Sequence, residues 1–350
     1  MLVTSSRRAL AVFSCSIAAV GVAGCGSGDD SSGGGGGGSA DGGDGAALLN
    51  AATITPDGAA LKSGTVGLSV SGTFDSPKDK DVKKVSGKVS LTVSSEGIDT
   101  AKGSTPPTKV TFDIDGDYTS PSGKTGTAKY AGGFSYLDSQ LYVNWKGKDY
   151  AFGKELTKQF ATGFGQGLSS KGDSKDLQAV TADPKKLVDT LDLEPGTWLE
   201  DSKVSDGPEL DGVATDAVTG KINVRATAED LREGFKKLPA AFPNVPGFKE
   251  LEQMGDLKDA DIKEAEESLT TRDLTAYIGK EDHALRRLEL KLAGKDKGDG
   301  GASADLTIQI DMTKFNQPQG IKAPSSSAPV TDLFAELQKD FPGIGGLLGG

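Results

Sequence analysis

The sequence is short of the residues that most often carry chemistry. It holds two cysteines, Cys15 and Cys25, and one histidine, His283, in 350 residues. With both cysteines in the first 25 positions, the rest of the chain has neither a disulfide nor a thiolate. Zinc sites built from Cys and His are excluded there for the same reason. A lone histidine beside Asp282 has no partnering nucleophile and no metal shell, so His283 is expected as an exposed turn residue. Positive charge is scarce as well. The 39 Lys and Arg stand against 50 Asp and Glu, giving −11, which disfavours nucleic acid and anionic lipid headgroups as bulk electrostatic partners. Beyond the first two dozen residues no stretch is long and apolar enough to span a membrane.

The chemistry that is present consists of near misses. Asp113-Ile114-Asp115-Gly116-Asp117 looks like the start of a calcium loop, but Tyr118 and Lys124 stand where that loop wants Gly and a bidentate Glu. Phe112 and Ile114 fit a strand with a solvated face equally well. The run Gly33–Gly38 has no phosphate-loop lysine and follows no strand. Asp259, Asp261, Glu264, Glu266 and Glu267 read as the wet face of a helix. No catalytic residue, cofactor or resident metal is assigned, and the chain is expected not to be an enzyme.

The N-terminus is more informative. Arg7 and Arg8 precede an apolar stretch, Ala9–Val22, and then the small residues Ala23-Gly24 before Cys25. A charged start, a short apolar core and small residues at a cut describe a secretory signal, and the apolar stretch is shorter than the roughly 20 residues of a membrane span. An ordinary signal could contain a cysteine by chance. A lipobox requires one in this place, because its thiol accepts a diacylglyceryl group before cleavage. Gly, Ser, Asp and Ala dominate the following segment up to Gly45, a composition that makes a flexible tether. The expected organisation is a signal peptide at 1–24, lipidated Cys25 and its tether at 25–45, a folded domain at 46–316, and a flexible C-terminal segment with a short helix at 317–350. The expected location is the extracytoplasmic face of the cell membrane, anchored through Cys25.

Within 46–316 the dominant pattern has period two. Val66, Leu68 and Val70 alternate with polar or small residues, as do Val85, Val89, Leu91 and Val93. The same holds for Val110, Phe112 and Ile114, for Leu141, Val143 and Trp145, and for Leu306, Ile308, Ile310 and Met312. Alternation in several separate segments predicts an antiparallel sheet with one dry and one wet face. Asp273–Ile278 and Ala284–Leu292 read as a hairpin. Helices are predicted at Leu156–Leu168, at Lys185–Leu193 behind Asp183 and Pro184, at Thr227–Leu238 behind a Thr227/Asp230 cap, at Leu257–Ser268 and at Thr331–Leu337. The fold class is therefore α+β, an open antiparallel sheet with helices on its one apolar face.

Two segments resemble LppX/LprG-type actinobacterial lipoproteins. Leu210–Val224, which contains Asp211-Gly212-Val213-Ala214 and leads into a helix, is similar to a strand pair of that group. Tyr277-Ile278-Gly279 with Leu285–Leu290 is similar to a later hairpin, and Val70-Ser71-Gly72 and Val85-Ser86-Gly87 echo a strand motif. The resemblance implies a single curved, mostly antiparallel sheet, a LolA-like half-barrel, with helices on its concave apolar face and a cavity between them. It implies an acyl-chain lipid or glycolipid as ligand, bound and moved across the envelope. The lining would then be Val66, Leu68, Val89, Leu91, Phe112, Ile114, Leu141, Val143, Leu156, Phe160, Leu231, Phe235, Ile308 and Ile310. A sensor or scaffold of the same fold is the alternative, with an envelope protein as partner at Asp256–Glu267 or Thr331–Phe341.

Overall fold

The structure is a computed structural model that describes residues 44–79, 83–98, 106–159, 190–242, 258–295 and 301–340. The expected signal, Cys25 and most of the tether lie outside the described residues, as do Phe160, Phe164, Leu168 and most of the helix expected at 185–193.

Twelve strands are described. They are β1 (Ser63–Asp75), β2 (Lys84–Glu96), β3 (Thr108–Thr119), β4 (Thr125–Leu137), β5 (Gln140–Trp145), β6 (Lys148–Ala151), β7 (Leu199–Asp206), β8 (Thr215–Ile222), β9 (Leu269–Gly279), β10 (Leu285–Lys295), β11 (Ser303–Thr313) and β12 (Ala328–Pro329). They form one open sheet in the order β12-β6-β5-β4-β3-β2-β1-β11-β10-β9-β8-β7. Every ladder is antiparallel except the short parallel pairing of β12 with β6. Four named helices accompany the sheet: α1 (Asp44–Ala51), α2 (Val224–Ala241), α3 (Asp259–Ser268) and α4 (Val330–Asp340). Residues 153–159 are also helical. This is the α+β, single-sheet architecture that the alternation predicts.

The main core lies on one face of β8–β11. Val218, Ile222, Leu274, Ile278, Leu290, Leu292, Ile308 and Ile310 are buried there against Leu49 of α1, Val224 and Ala228 of α2, and Ile262 of α3. Burial of each large aliphatic side chain contributes about 1.5–3 kcal/mol, so this half of the sheet holds its helices firmly. An ion pair between Arg225 and Glu266, at 3.2 Å, ties α2 to α3.

Two expectations are corrected. The helix expected from Thr227 begins at Val224, because Asn223 is the better cap: its side-chain oxygen accepts from the Ala226 N–H at 3.0 Å. Thr227 is buried one turn in and donates its hydroxyl to the Asn223 carbonyl. Within 317–350, expected as a flexible segment with a short helix, residues 328–340 close the far edge of the sheet. There β12 pairs with β6, and α4 buries Val330 and Leu333 against Trp145 and Tyr150.

Candidate functional site

The ladder registers align the apolar positions of successive strands into rows, because directly opposed residues share a face. One row runs Met312, Val66, Val93, Val110, Phe134, Val143, Tyr150. The next runs Ile310, Leu68, Leu91, Phe112, Gly132, Trp145, and a third Ile308, Val70, Val89, Ile114, Tyr130. The fourth row is different in kind. It reads Leu306, Gly72, Gly87, Gly116, Ala128. A fifth, Ala304, Phe74, Val85, Tyr118, Gly126, restores the large side chains.

A row whose three middle positions carry no side chain, between two rows that do, makes a trough across the strands. Its volume is about 370 Å³, inside the roughly 300–1,000 Å³ of small-molecule sites. Val70, Val89 and Ile114 form one wall, Phe74, Val85 and Tyr118 the other, and the glycines the floor. The floor has no room for side chains. A Cβ on Gly72 would collide with the Asp305 carbonyl, and one on Gly87 would stand 2.6 Å from the Asp115 carbonyl oxygen. Backbones close along this line of glycines, as they do where sheets bend.

The described helices leave the trough uncovered. Val85, Val89 and Tyr118 are 42%, 47% and 46% exposed, although they share a face with the buried Ile308 and Ile310. One end of the trough abuts the filled core at Leu306. At the other end β4 runs Thr125–Leu137, but β5 pairs only with its second half, Gly132–Leu137. The first half of β4 is therefore a sheet edge among the described residues, and the trough opens there. The Tyr118 ring lies across Gly126 at this mouth, in the space that a Cβ would take.

The opposite face is wet and paired. Lys129 meets Asp115 at 2.8 Å, and Thr127 donates its hydroxyl to Asp117 at 2.7 Å. The hydrogen bond to Asp115 holds the Lys129 ammonium above the usual lysine value. The acidic stretch 113–117 is thus strand, with Ile114 inward and its carboxylates outward. Among the described residues no group of three or more His, Cys, Asp or Glu could hold a metal ion. His283 is exposed in the β9–β10 turn with φ of 52°. A second hollow, of about 500 Å³ on the wet face of β7–β10, is lined by charges of both signs, including the paired Glu289 and Lys291.

Of the residues expected to line a cavity, Val89 and Ile114 line the trough. Val66, Leu68, Leu91 and Phe112 lie on the same face in adjoining rows, while Ile308 and Ile310 are buried under the helices. Leu141 is buried and its N–H donates to the Thr157 hydroxyl; Val143 packs beside Trp145 and Tyr150. Leu156 is exposed. Leu231 and Phe235 belong to a separate cluster with Leu191, Leu238 and Phe242, away from the trough. Sequence reasoning missed Gly72, Gly87, Gly116, Phe74, Tyr118 and Ala128 as site residues. The paired Val-Ser-Gly segments at 70–72 and 85–87 were the available signal, since Gly72 and Gly87 are ladder partners.

Fold and site together define an open, single-sheet α+β protein with an apolar trough on its helix-bearing face. Among solved structures the chain is similar to LprF from Mycobacterium bovis (14% identity, 81% of this chain and 98% of that one, TM-score 0.31). It is also similar to the Mycobacterium tuberculosis lipoprotein LppX (13% identity, 75% and 90%, TM-score 0.23), and to lipovitellin, described in terms of its lipid–protein interactions (10% identity, 79% and 27%, TM-score 0.25). No protein-family model and no curated protein matches the chain.

Proposed function

We propose that this chain is a membrane-anchored envelope lipoprotein that binds a lipid in the trough and passes it on. The observation that carries the reading is the apolar trough, left uncovered by the described residues, on the same face as the buried core. Water is a poor solvent for its walls, and each acyl methylene sheltered there contributes about 0.8 kcal/mol. Val89 and Ile114 are the proposed contacts among the residues singled out in the sequence, joined by Val70, Phe74, Val85 and Tyr118. The lipobox cysteine, Cys25, and the tether after it support an anchor that leaves the domain free to reach lipid. An open mouth at the β4 edge supports transfer, since a lipid could leave without unfolding a strand.

The test is to purify the full chain with Cys25→Ser from an actinobacterial host, extract it with organic solvent and identify bound lipid by mass spectrometry. One defined lipid per chain supports the reading. A folded protein that carries none, and takes up none from vesicles, overturns it.

A further inference from the structure

Resting on the reading above, we infer that the trough takes one single extended acyl chain, laid across the strands with its polar head at the β4 edge. The trough is bounded by residues of β11, β1, β2, β3 and β4. Four steps between neighbouring strands at about 4.8 Å each make it roughly 19 Å long. On β2 the walls Val85 and Val89 stand four residues apart, about 13 Å between Cα positions at about 3.3 Å per residue. Between the side chains that rise on either side of the glycine floor, that span holds one extended chain.

Direction follows from the two ends. At Leu306 the trough meets the packed core, where Ile308 is 2% exposed, so nothing polar can sit there without losing its water. At Gly126 the trough reaches solvent, beside the half-exposed Tyr118 and the hydroxyls of the β3–β4 turn, Ser120 and Ser122, which hydrogen-bond each other at 2.9 Å. The methyl end belongs at Leu306 and the head at Tyr118. The ligand class is a single-chain amphiphile, a free fatty acid or a lysophospholipid.

The experiment titrates the full chain, Cys25→Ser, with palmitate, with lysophosphatidylcholine carrying one palmitoyl chain, and with a dipalmitoyl phosphatidylcholine vesicle. Ala128→Phe fills the open end of the trough from a position that already carries a Cβ, and Val89→Asp places a charge in the wall. Each should weaken binding of the single-chain probes by at least about tenfold, the loss of two methylene contacts or more, with the circular dichroism spectrum retained. Binding of palmitate alone or of the lysolipid alone names the source of the chain. Nitroxides placed near the head and near the methyl end of the fatty acid give the direction, because a label near the head should remain reducible by ascorbate and one near the methyl should not. Binding that survives both substitutions, or one-to-one uptake of the two-chain lipid, overturns the single-chain trough while leaving lipid binding intact. Failure of every probe with the parent chain overturns the single-chain trough, and the lipid reading falls with it when the host-purified chain is also empty.

Discussion

Gly87 works through the side chain it lacks. Its absent Cβ would sit 2.6 Å from the Asp115 carbonyl oxygen and 2.7 Å from the Gly116 Cα, so Gly87→Ala must push two strands apart. A loss of about 1–3 kcal/mol is expected in urea unfolding, the usual result of overpacking. An unchanged midpoint would show that the two strands accommodate the methyl without cost. Arg286 is the opposite case. It is 4% exposed, bonded to Asp282, 4.0 Å from Asp211 and 4.9 Å above the Phe315 ring. Arg286→Ala leaves Asp282 without its cation and removes a stem packed between a hairpin and the end of β11. Breaking such a buried pair costs about 3–5 kcal/mol, and a loss below about 1 kcal/mol would mark the arrangement as incidental. The limits of sequence reading are also clearest at single residues. Thr227 and Asp230 satisfy a capping pattern, yet Asp230 accepts instead from the Trp198 indole N–H and the Glu194 N–H. Nothing in the local sequence announces those two partners, which are more than thirty positions away.

Elements built on alternation were legible, and their neighbours were not. Period two in residues such as Val66–Val70 or Ile308–Met312 shows a strand and its dry face, but register decides which residues stand side by side. The trough depends on register entirely, since Gly72, Gly87 and Gly116 form a floor only when opposed. The C-terminal helix was visible as an amphipathic stretch, whereas its docking site was not, because β12 reaches β6 from more than 170 positions away. Leu333→Ala in α4 is expected to cost about 2–5 kcal/mol and to shift the fluorescence of Trp145, its cluster neighbour; an unchanged spectrum would argue that α4 does not seal that edge. At the other end of the sheet Lys280 bonds Asp206 and approaches Asp216 at 3.4 Å, joining the β9–β10 turn to β7 and β8. The hydrogen bond from Lys280 holds the Asp206 carboxyl below its usual value. A carboxylate lowered on folding adds stability above about pH 4 and loses it as pH falls through its folded value. Lys280→Met should therefore be less stable than the parent at pH 7 and converge with it in acid. A gap that stays constant into acid would exclude that pair as its source.

The whole molecule is asymmetric. One half of the sheet is filled by α1–α3 over β8–β11; in the other α4 covers the β5–β6 edge, and the described helices leave the trough open. Native-state hydrogen exchange should be slowest in β8–β11 and faster in β2–β4, where packing is sparse. A lipid that binds only the folded chain should slow exchange in β2–β4 first and stabilise the fold by about 2.7 kcal/mol at a hundred times its Kd. Protection confined to β7–β9 would place the ligand elsewhere. One ladder also sets the order of assembly. β1 begins the sheet in the chain, yet its seam with β11 joins Val66 to Met312, partners about 250 residues apart. β1–β6 can zip up locally as hairpins, as can β7–β8 and β9–β11 once present, but the two halves of the sheet meet only across that seam. Non-local closure of this kind is slow, so the β11 end of the trough, at Ala304 and Leu306, must wait until almost the whole chain has been made. A holding chaperone during that interval would meet the unpaired edge of β1, Val66–Phe74, first.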